Sequence, residues 1–318
     1  MADTHNPFTA PDGPENMILA ALAQGDARIA SVVPVLRHLV TNDESSFFSE
    51  EVVARCRAMI DDLSRQLLFA HADATAQPGG FDFSQDAIDA MARIIAADAA
   101  LLGHVHALAV EWQLAERLQN RLGLDPVLSP LLQALVASSD PVTASSAMSL
   151  LAAQARFAQS QRRMQLPLAE LPADGLHAAL QALRIHAGEH DEAAAKAERS
   201  ICEGFDESRS RIGLLARTVM AMGGGAHAAL SVDHAGVALM LTAVSLATGL
   251  ERRLVSLSTH EGQATRFALG LTAAGLKSAA VERQVSVLHP EISLPQAFAA
   301  LASDRAAAIL GQAFGYSG

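Results

Sequence analysis

The chain has few of the residues on which many enzymes and cofactor-binding proteins depend. Two of its 318 residues are cysteines, one is Trp, one is Tyr, and its only lysines are Lys196 and Lys277. There is no C-x-x-C pair, which excludes the common cysteine-based zinc and redox motifs. Neither lysine stands in a G-x-x-x-x-G-K-[ST] sequence, which excludes a P-loop. Two isolated cysteines are typical of proteins from a reducing compartment, so we expect a cytoplasmic protein.

Basic charge is also scarce. The chain has 23 basic and 34 acidic residues, for a formal net charge of −11. Its longest basic clusters are the pairs Arg162-Arg163 and Arg252-Arg253. A nucleic-acid-binding surface normally needs a basic stripe, often with aromatic residues for stacking. We therefore expect no nucleic-acid partner.

One apolar run is shorter than a membrane span requires. Residues 235–250 are 16 residues without a charge and include Gly, Thr and Ser, whereas a spanning helix needs about 20 apolar residues. This run predicts a buried core helix and no membrane partner, with a membrane-surface protein as the alternative. The N-terminal sequence MADTHNPFTAPDGPEN has no signal-peptide pattern, and residues 1–14 are predicted to be a disordered tail.

The residues that are abundant indicate an all-α fold. Half of the chain is hydrophobic while only 4% is aromatic, because Ala and Leu, both strong helix formers, supply most of the apolar content. Polar residues before prolines, as in Asp125-Pro126, Ser129-Pro130 and Asp140-Pro141, predict helix starts. We expect a helical bundle at residues 15–124, followed at 125–318 by a stack of irregular helix pairs of HEAT-like or other helical-repeat type.

Local signals predict several helix boundaries in the N-terminal region. Ser84 is a predicted N-cap and Gly123 a predicted C-terminal cap of one long helical stretch, which Gly103 is expected to divide. Gly25-Asp26 is expected to end the first helix. Cys56 falls on an apolar stripe with helical spacing, so it is predicted to be a small buried hydrophobe.

The stretch LRIHAGEHDEAAAKAERS contains the strongest candidate for a metal site. His186 and His190 are four residues apart, which on a helix stacks two imidazoles on one face. Zinc sites use three or four ligands, and only Asp191 and Glu192 are nearby to complete the set. His186 and His190 are therefore candidate metal ligands, and the alternative is the solvated flank of an ordinary helix.

Three further polar sets were weighed as sites, and each has a plainer structural interpretation. They are His104 with His106, the glycines 223–225 with His227, Asp233 and His234, and the pair His260-Glu261. Two histidines two apart on a helix point in nearly opposite directions and cannot share a metal. A glycine triplet can bind an anion before a helix, but an interhelical turn is the simpler expectation. The His-Glu pair lacks the rest of a phosphotransfer motif.

Residues 264–292, ATRFALGLTAAGLKSAAVERQVSVLHPEI, are similar to an uncharacterised helical family of alphaproteobacteria. The shared features are an Ala/Leu-rich helix and a second helix that ends in a Leu-x-Pro-Glu-type turn. The earlier stretch FFSEEVVARCRAMIDDLSRQLL also resembles the N-terminal region of members of that family. The resemblance implies a helical fold and a bacterial lineage, and it implies no activity and no site residues.

These observations favour a non-enzymatic helical protein-interaction or regulatory module that uses no cofactor. We expect a protein partner, and a homodimer is a further expectation because Ala-rich helices with apolar stripes suit such an interface. The alternative function is a metal- or small-ligand-binding helical protein. It would use a histidine cluster, either His186 with His190 or His227 with His234.

Overall fold

The structure, a computed structural model, describes residues 14–41, 50–75, 83–188 and 190–314. Every regular element in these ranges is a helix, which confirms the predicted all-α fold. The α-helices are α1 (Pro14–Thr41), α2 (Glu50–Ala74), α3 (Gln85–Ala97), α4 (Ala99–Leu122), α5 (Pro130–Val136), α6 (Pro141–Arg162), α7 (Ala173–Ala187), α8 (Glu192–Gly204), α9 (Arg211–Ala221), α10 (Val232–Thr248), α11 (Arg252–Ser258), α12 (Ala264–Ala273), α13 (Ser278–Leu288) and α14 (Ser303–Phe314). Short 3-10 helices lie at Leu168–Glu170, Glu207–Arg209, Gly223–Leu230, Glu261–Gln263 and Gln296–Ala300.

Several predicted caps are confirmed. The Ser84 side chain accepts a hydrogen bond from the Ala87 amide at the start of α3, and Gly123 ends α4 with a left-handed φ of 68°. Ser129 and Asp140 cap the starts of α5 and α6 as Ser84 caps α3, because each side chain accepts a hydrogen bond from an amide three residues later. Each of these two residues precedes a proline in the first turn. Each such cap satisfies an amide that the helix itself leaves without a partner.

The helix start predicted at Asp125-Pro126 is wrong. Asp125 Oδ1 accepts hydrogen bonds from the amides of Val127 and Leu128, at 2.7 and 3.0 Å. The carboxylate thus closes a local turn, and the next helix begins only at Pro130. A short polar side chain before a proline serves a turn as well as a helix, because both need an acceptor for the first free amides.

The predicted break at Gly25-Asp26 is also wrong, because α1 continues through it to Thr41. Gly25 lies inside the helix, at a point where a Cβ would come within 2.5 Å of Gln263 Oε1. Gln263 Nε2 donates to the Gly25 carbonyl at 2.9 Å, and Asp26 pairs with the buried Arg266. The glycine therefore permits close packing on the C-terminal helices, and Asp26 anchors that contact.

The division of the long helical stretch lies at Asp98 and not at Gly103. Asp98 has extended backbone angles, and its carboxylate accepts from the Leu101 amide at 2.8 Å, so α4 starts there at a sharp bend from α3. Gly103 is buried within α4, where a Cβ would lie 2.5 Å from Arg253 Nη1. The aspartate has the side chain needed to cap a new helix, which a glycine lacks.

The core consists of two hydrophobic clusters. The first cluster lies among the second half of α1, α2, α3, the first part of α4, the end of α6, α7 and α8. The second lies among the first half of α1, the end of α4, α5, most of α6 and α9 to α14. Cys56 is fully buried in the first cluster, as predicted. The domain boundary predicted between residues 124 and 125 stays a prediction, and both clusters take residues from each side of it.

Helix α1 joins the two clusters along its length. Ile18 and Leu22 are buried in the second cluster, whereas Leu36 and Leu39 are buried in the first. Burial of each such side chain contributes roughly 1.5–3 kcal/mol. This outweighs the cost of about 1 kcal/mol for a glycine inside a helix, which is why Gly25 does not end α1.

Helix α10 is the centre of the second cluster. Its residues from Ala235 to Val244 are all buried, and it contacts α4, α5, α9, α11, α12 and α13. The predicted buried core helix is therefore confirmed for residues 237–244. Gly236 has non-helical backbone angles (φ 75°, ψ 167°), and residues 245–250 are partly or fully exposed. Among the described residues, one helical segment, Asn16–Arg37, is apolar and long enough to cross a membrane, judged by length and composition alone. The number of such candidate spans rises to three if each of two bent helix pairs is counted as one span. These pairs are Gln85–Ala97 with Ala99–Leu122 and Gly223–Leu230 with Val232–Thr248.

Candidate functional site

The predicted histidine pair does not lie on one helix. His186 is in the last turn of α7, which ends at Ala187, and Gly188 follows with a φ of 98°. His190 is exposed beyond that glycine, so the stacking that motivated the pair is absent. No group of three or more His, Cys, Asp or Glu side chains in the described parts of the chain is placed to hold a metal. Metal binding by His186 and His190 stays a prediction.

Asp191, one of the residues considered for completing that site, has other partners. Its Oδ1 accepts from His71 Nε2 at 3.0 Å and from the Ala194 amide at 2.7 Å, where it caps α8. These hydrogen bonds lower the pKa of the Asp191 carboxyl, with the Ala194 amide as the larger cause. Asp191 thus connects α8 to α2 and starts a helix.

His104 and His106 lie on different sides of α4. Burial is the main cause that lowers the pKa of each imidazole to about 4. The positive charges of Arg252 and Arg211 contribute for His104, and His260 contributes for His106. Since their neighbours differ, the two rings do not form one site. Both are neutral at physiological pH.

The glycines 223–225 belong to a 3-10 helix that connects α9 to α10. His227 packs against Gly275, where a Cβ would come within 3.1 Å of its Nε2. Asp233 accepts from Ser231 Oγ at 2.7 Å and pairs with Arg283, so its carboxylate is already engaged. The interhelical connection expected from the sequence is confirmed.

A buried charged cluster in the described residues is one that the sequence did not predict. The Glu111 carboxylate, 2% exposed, lies between the guanidinium groups of Arg211 and Arg252. Arg211 donates to its two oxygens at 2.8 and 3.2 Å, and Arg252 at 2.8 and 3.0 Å. Because both contacts are bidentate, this arrangement connects α4, α9 and α11 with defined geometry.

Further donors of the two arginines are bound as well. Arg211 Nη1 also donates to Gln154 Oε1 at 3.1 Å, and its guanidinium carbon lies 3.6 Å from the centre of the Phe157 ring. Arg252 Nε donates to Thr242 Oγ1 at 3.1 Å. Such contacts with polar and aromatic groups compensate for the removal of the charges from water.

The electrostatics of this cluster hold Glu111 in its charged form. Burial alone would raise the pKa of Glu111, but the two guanidinium groups outweigh it and hold that pKa well below its usual range. A cavity of about 10 Å³ adjoins Glu111, Gln154 and Arg211, and that is about the space of one water molecule. The cluster is therefore a closed structural network with no room for an organic ligand.

A wide groove lies along one face of α4, with a volume of about 750 Å³. Its other side is formed by the turn at residues 259–261, which includes the pair His260-Glu261 weighed from the sequence. The lining residues of this α4 groove are Glu51, Val110, Gln113, Leu114, Glu116, Arg117, Asn120, Arg121, Thr259, His260 and Glu261. Helical periodicity brings most of them together, because residues three, four and seven apart share a face.

Charge is separated across the α4 groove. On the side of α2, Glu51 and Glu116 both face Arg55 Nη2, at 3.1 and 3.6 Å. On the opposite side, Arg117 and Arg121 are exposed and four residues apart on α4. The groove thus has an acidic side, whose two carboxylates are partly neutralised by Arg55, and a basic side that faces the solvent.

The two arginines of the basic side act on the pKa values of two groups. The pKa of Arg117 is lowered, first by its partial burial and then by Arg121, while Glu261 acts in the opposite direction. The pKa of His289 is lowered mainly by burial and also by Arg117, although its ring bonds to the Thr259 carbonyl at 2.8 Å. The two arginines therefore lie near Glu261, the carboxylate of the turn at residues 259–261.

Comparison with known proteins provides no relative from which a site can be transferred. No protein-family model, curated protein or solved structure matches the chain. The similarity of residues 264–292 to an alphaproteobacterial helical family therefore stays a prediction.

Proposed function

We propose that this chain is a non-enzymatic helical protein-interaction or regulatory module of the cytoplasm, and that the α4 groove is its docking site for a protein partner. The observation that supports the proposal is the contrast between two charged regions. The buried network of Glu111, Arg211 and Arg252 has its polar groups bound to one another. The α4 groove instead presents exposed charged side chains to the solvent.

The groove has properties suited to a peptide segment. Its apolar floor of Val110 and Leu114 is flanked by charged side chains, and this resembles the anatomy of protein interfaces, in which a polar rim surrounds a desolvated centre. Most of the lining belongs to one helix whose opposite face is in the core. The side chains are therefore held on a rigid element, and this lowers the entropy lost on binding.

The proposal is tested by partner capture with a blocked groove. Cys202 is exposed and Cys56 is buried, and burial raises the pKa of the Cys56 thiol to about 12. A biotin maleimide will therefore label Cys202 selectively. Labelled wild-type protein, immobilised and exposed to an extract of the source cell, is expected to retain a protein in stoichiometric amount, identified by mass spectrometry.

The matched variants are Asn120→Trp and Gln119→Trp. Both positions are exposed on α4, but only Asn120 lines the groove. A bulky ring at Asn120 is expected to reduce recovery of the partner at least tenfold, and the same ring at Gln119 is expected to leave recovery unchanged. Equal recovery with all three proteins, or no stoichiometric partner with any, would contradict the proposal.

A further inference from the structure

We propose that the α4 groove recognises an acidic segment of its partner, whose side-chain carboxylates bind to Arg117 and Arg121. This inference rests on the proposed function and adds the chemistry of the partner. It depends on the bonding state of the two arginines, on their spacing and on the carboxylates around them.

The two arginines have most of their hydrogen-bonding capacity free. Among the residues that the structure describes, Arg117 has no hydrogen bond and no ion pair within 4 Å. Arg121 has one long contact, from Nη1 to the Leu288 carbonyl at 3.4 Å. A guanidinium group has five N–H donors in a planar arrangement. Most of the donors on this side of the groove are thus available to a ligand.

The spacing of the two arginines is unfavourable for the free protein. Like charges four residues apart on a helix repel each other and destabilise it. In agreement with this, the pKa of Arg117 is lowered by burial first and by Arg121 second. Elsewhere in the described chain, Arg55, Arg211, Arg252 and Arg266 each face a carboxylate. An anion between Arg117 and Arg121 would relieve the repulsion.

Two of the three carboxylates that line the groove do not compete for Arg117 and Arg121. Glu51 and Glu116 are both directed to Arg55. Glu261 is the carboxylate that acts on Arg117, and it makes no ion pair within 4 Å among the described residues. Arg28 approaches the same turn, since a Cβ at Gly262 would lie 2.6 Å from Arg28 Nη1. Glu261 is therefore the residue that should oppose an incoming anion.

The chemistry of arginine favours a carboxylate ligand. A guanidinium group matches the two oxygens of a carboxylate in a bidentate contact, and it does so more specifically than an ammonium group. Because the groove has a volume of about 750 Å³ and holds two exposed arginines four residues apart, it suits a segment that presents more than one acidic side chain. The turn at residues 259–261 then faces the bound segment.

Binding is measured by fluorescence anisotropy with a fluorescein-labelled hexaglutamate peptide and, for comparison, a hexaglutamine peptide. Wild-type protein is expected to bind only the acidic peptide. The double variant Arg117→Gln/Arg121→Gln is expected to raise its Kd at least tenfold. The control Arg156→Gln/Arg209→Gln, which removes two exposed arginines outside the groove, is expected to change the Kd less than twofold.

A second variant distinguishes recognition in the groove from general attraction of charge. Glu261→Gln is expected to lower the Kd for hexaglutamate, because it removes the carboxylate that competes for Arg117. A Kd that is equal in the two double variants would overturn the proposal, as would the absence of binding to wild-type protein. Displacement of the peptide by equimolar inorganic phosphate would also overturn it, in favour of a small anionic ligand.

Failure of this inference differs from failure of the proposed function. If Asn120→Trp abolishes partner capture but Arg117→Gln/Arg121→Gln does not, the groove is a docking site whose partner is not recognised through its carboxylates. If neither variant affects capture, the docking site lies elsewhere. Circular dichroism and thermal unfolding of each variant test whether the exposed substitutions leave the fold intact.

Discussion

Glu111 is the residue on which a buried charged network of α4, α9 and α11 depends. It receives both guanidinium groups in a buried environment, so its removal leaves two positive charges without their counterion. Loss of one partner of a buried ion pair costs about 3–5 kcal/mol. We expect Glu111→Gln to lower the free energy of unfolding by that amount, as measured by urea denaturation. Glu203→Gln, at an exposed position, is the control, and an equal effect of both would contradict the role of Glu111.

Gly213 is a second residue whose identity is required by packing. A Cβ at this position would lie 2.3 Å from the Glu207 carbonyl oxygen, which belongs to the backbone and cannot rotate away. We expect Gly213→Ala to destabilise the protein by roughly 1–3 kcal/mol, the usual cost of overpacking. Gly311 lies in α14 with open space around it, so Gly311→Ala should be neutral or stabilising by up to about 1 kcal/mol. Thermal unfolding compares the two, and a smaller loss at Gly213 than at Gly311 would show that the 3-10 helix before α9 moves.

At the scale of single elements, the end of α7 separates His186 from His190, the two residues of the predicted metal pair. Since α7 ends at Ala187, we expect His186→Ala/His190→Ala to change the free energy of unfolding by less than about 0.5 kcal/mol. The exposed His177 on the same helix provides the control His177→Ala. Native mass spectrometry of untagged protein and thermal unfolding with zinc are the measurements. Loss of one bound metal ion per chain, together with a lower Tm, would instead establish the site.

Three helix starts were predictable because each depends on a local hydrogen bond, whereas the equally local bonds of Asp98 and Asp125 were not predicted. Ser84, Ser129 and Asp140 cap helices because their own side chains bond to amides three residues later. The errors at Gly25 and Gly103 have the opposite origin. Each glycine accommodates a side chain from a segment about 150 or more residues away, Gln263 in one case and Arg253 in the other. No local pattern contains that information.

At the scale of the whole molecule, the buried histidines make stability depend on pH. Burial lowers the pKa of His104 and His106 from the usual value of 6.5 to about 4. Between these values the unfolded chain binds protons that the folded protein does not, so stability is fully present above pH 6.5 and falls as the pH decreases to about 4. We expect each histidine to contribute a loss of at most about 1.4 kcal/mol per pH unit in this window.

Urea denaturation at pH 7, 6 and 5 tests this dependence. His104→Gln/His106→Gln is expected to show a shallower loss of stability between pH 6.5 and 4 than the wild-type protein. The control His177→Gln, at an exposed position, is expected to keep the wild-type slope. A slope that is unchanged in the double variant would show that other groups cause the acid sensitivity.

The sequence by itself determined the fold class, a buried helix within residues 235–250 and several helix caps, because these depend on composition, helical periodicity and contacts within one turn. Only the tertiary structure decided which charged residues meet. Glu111 lies 100 residues from Arg211 and 141 from Arg252, and the α4 groove combines α4 with the start of α2 and the turn at residues 259–261. Such contacts form when helices pack around a common core, and the pattern within any one helix does not specify which other helix will face it.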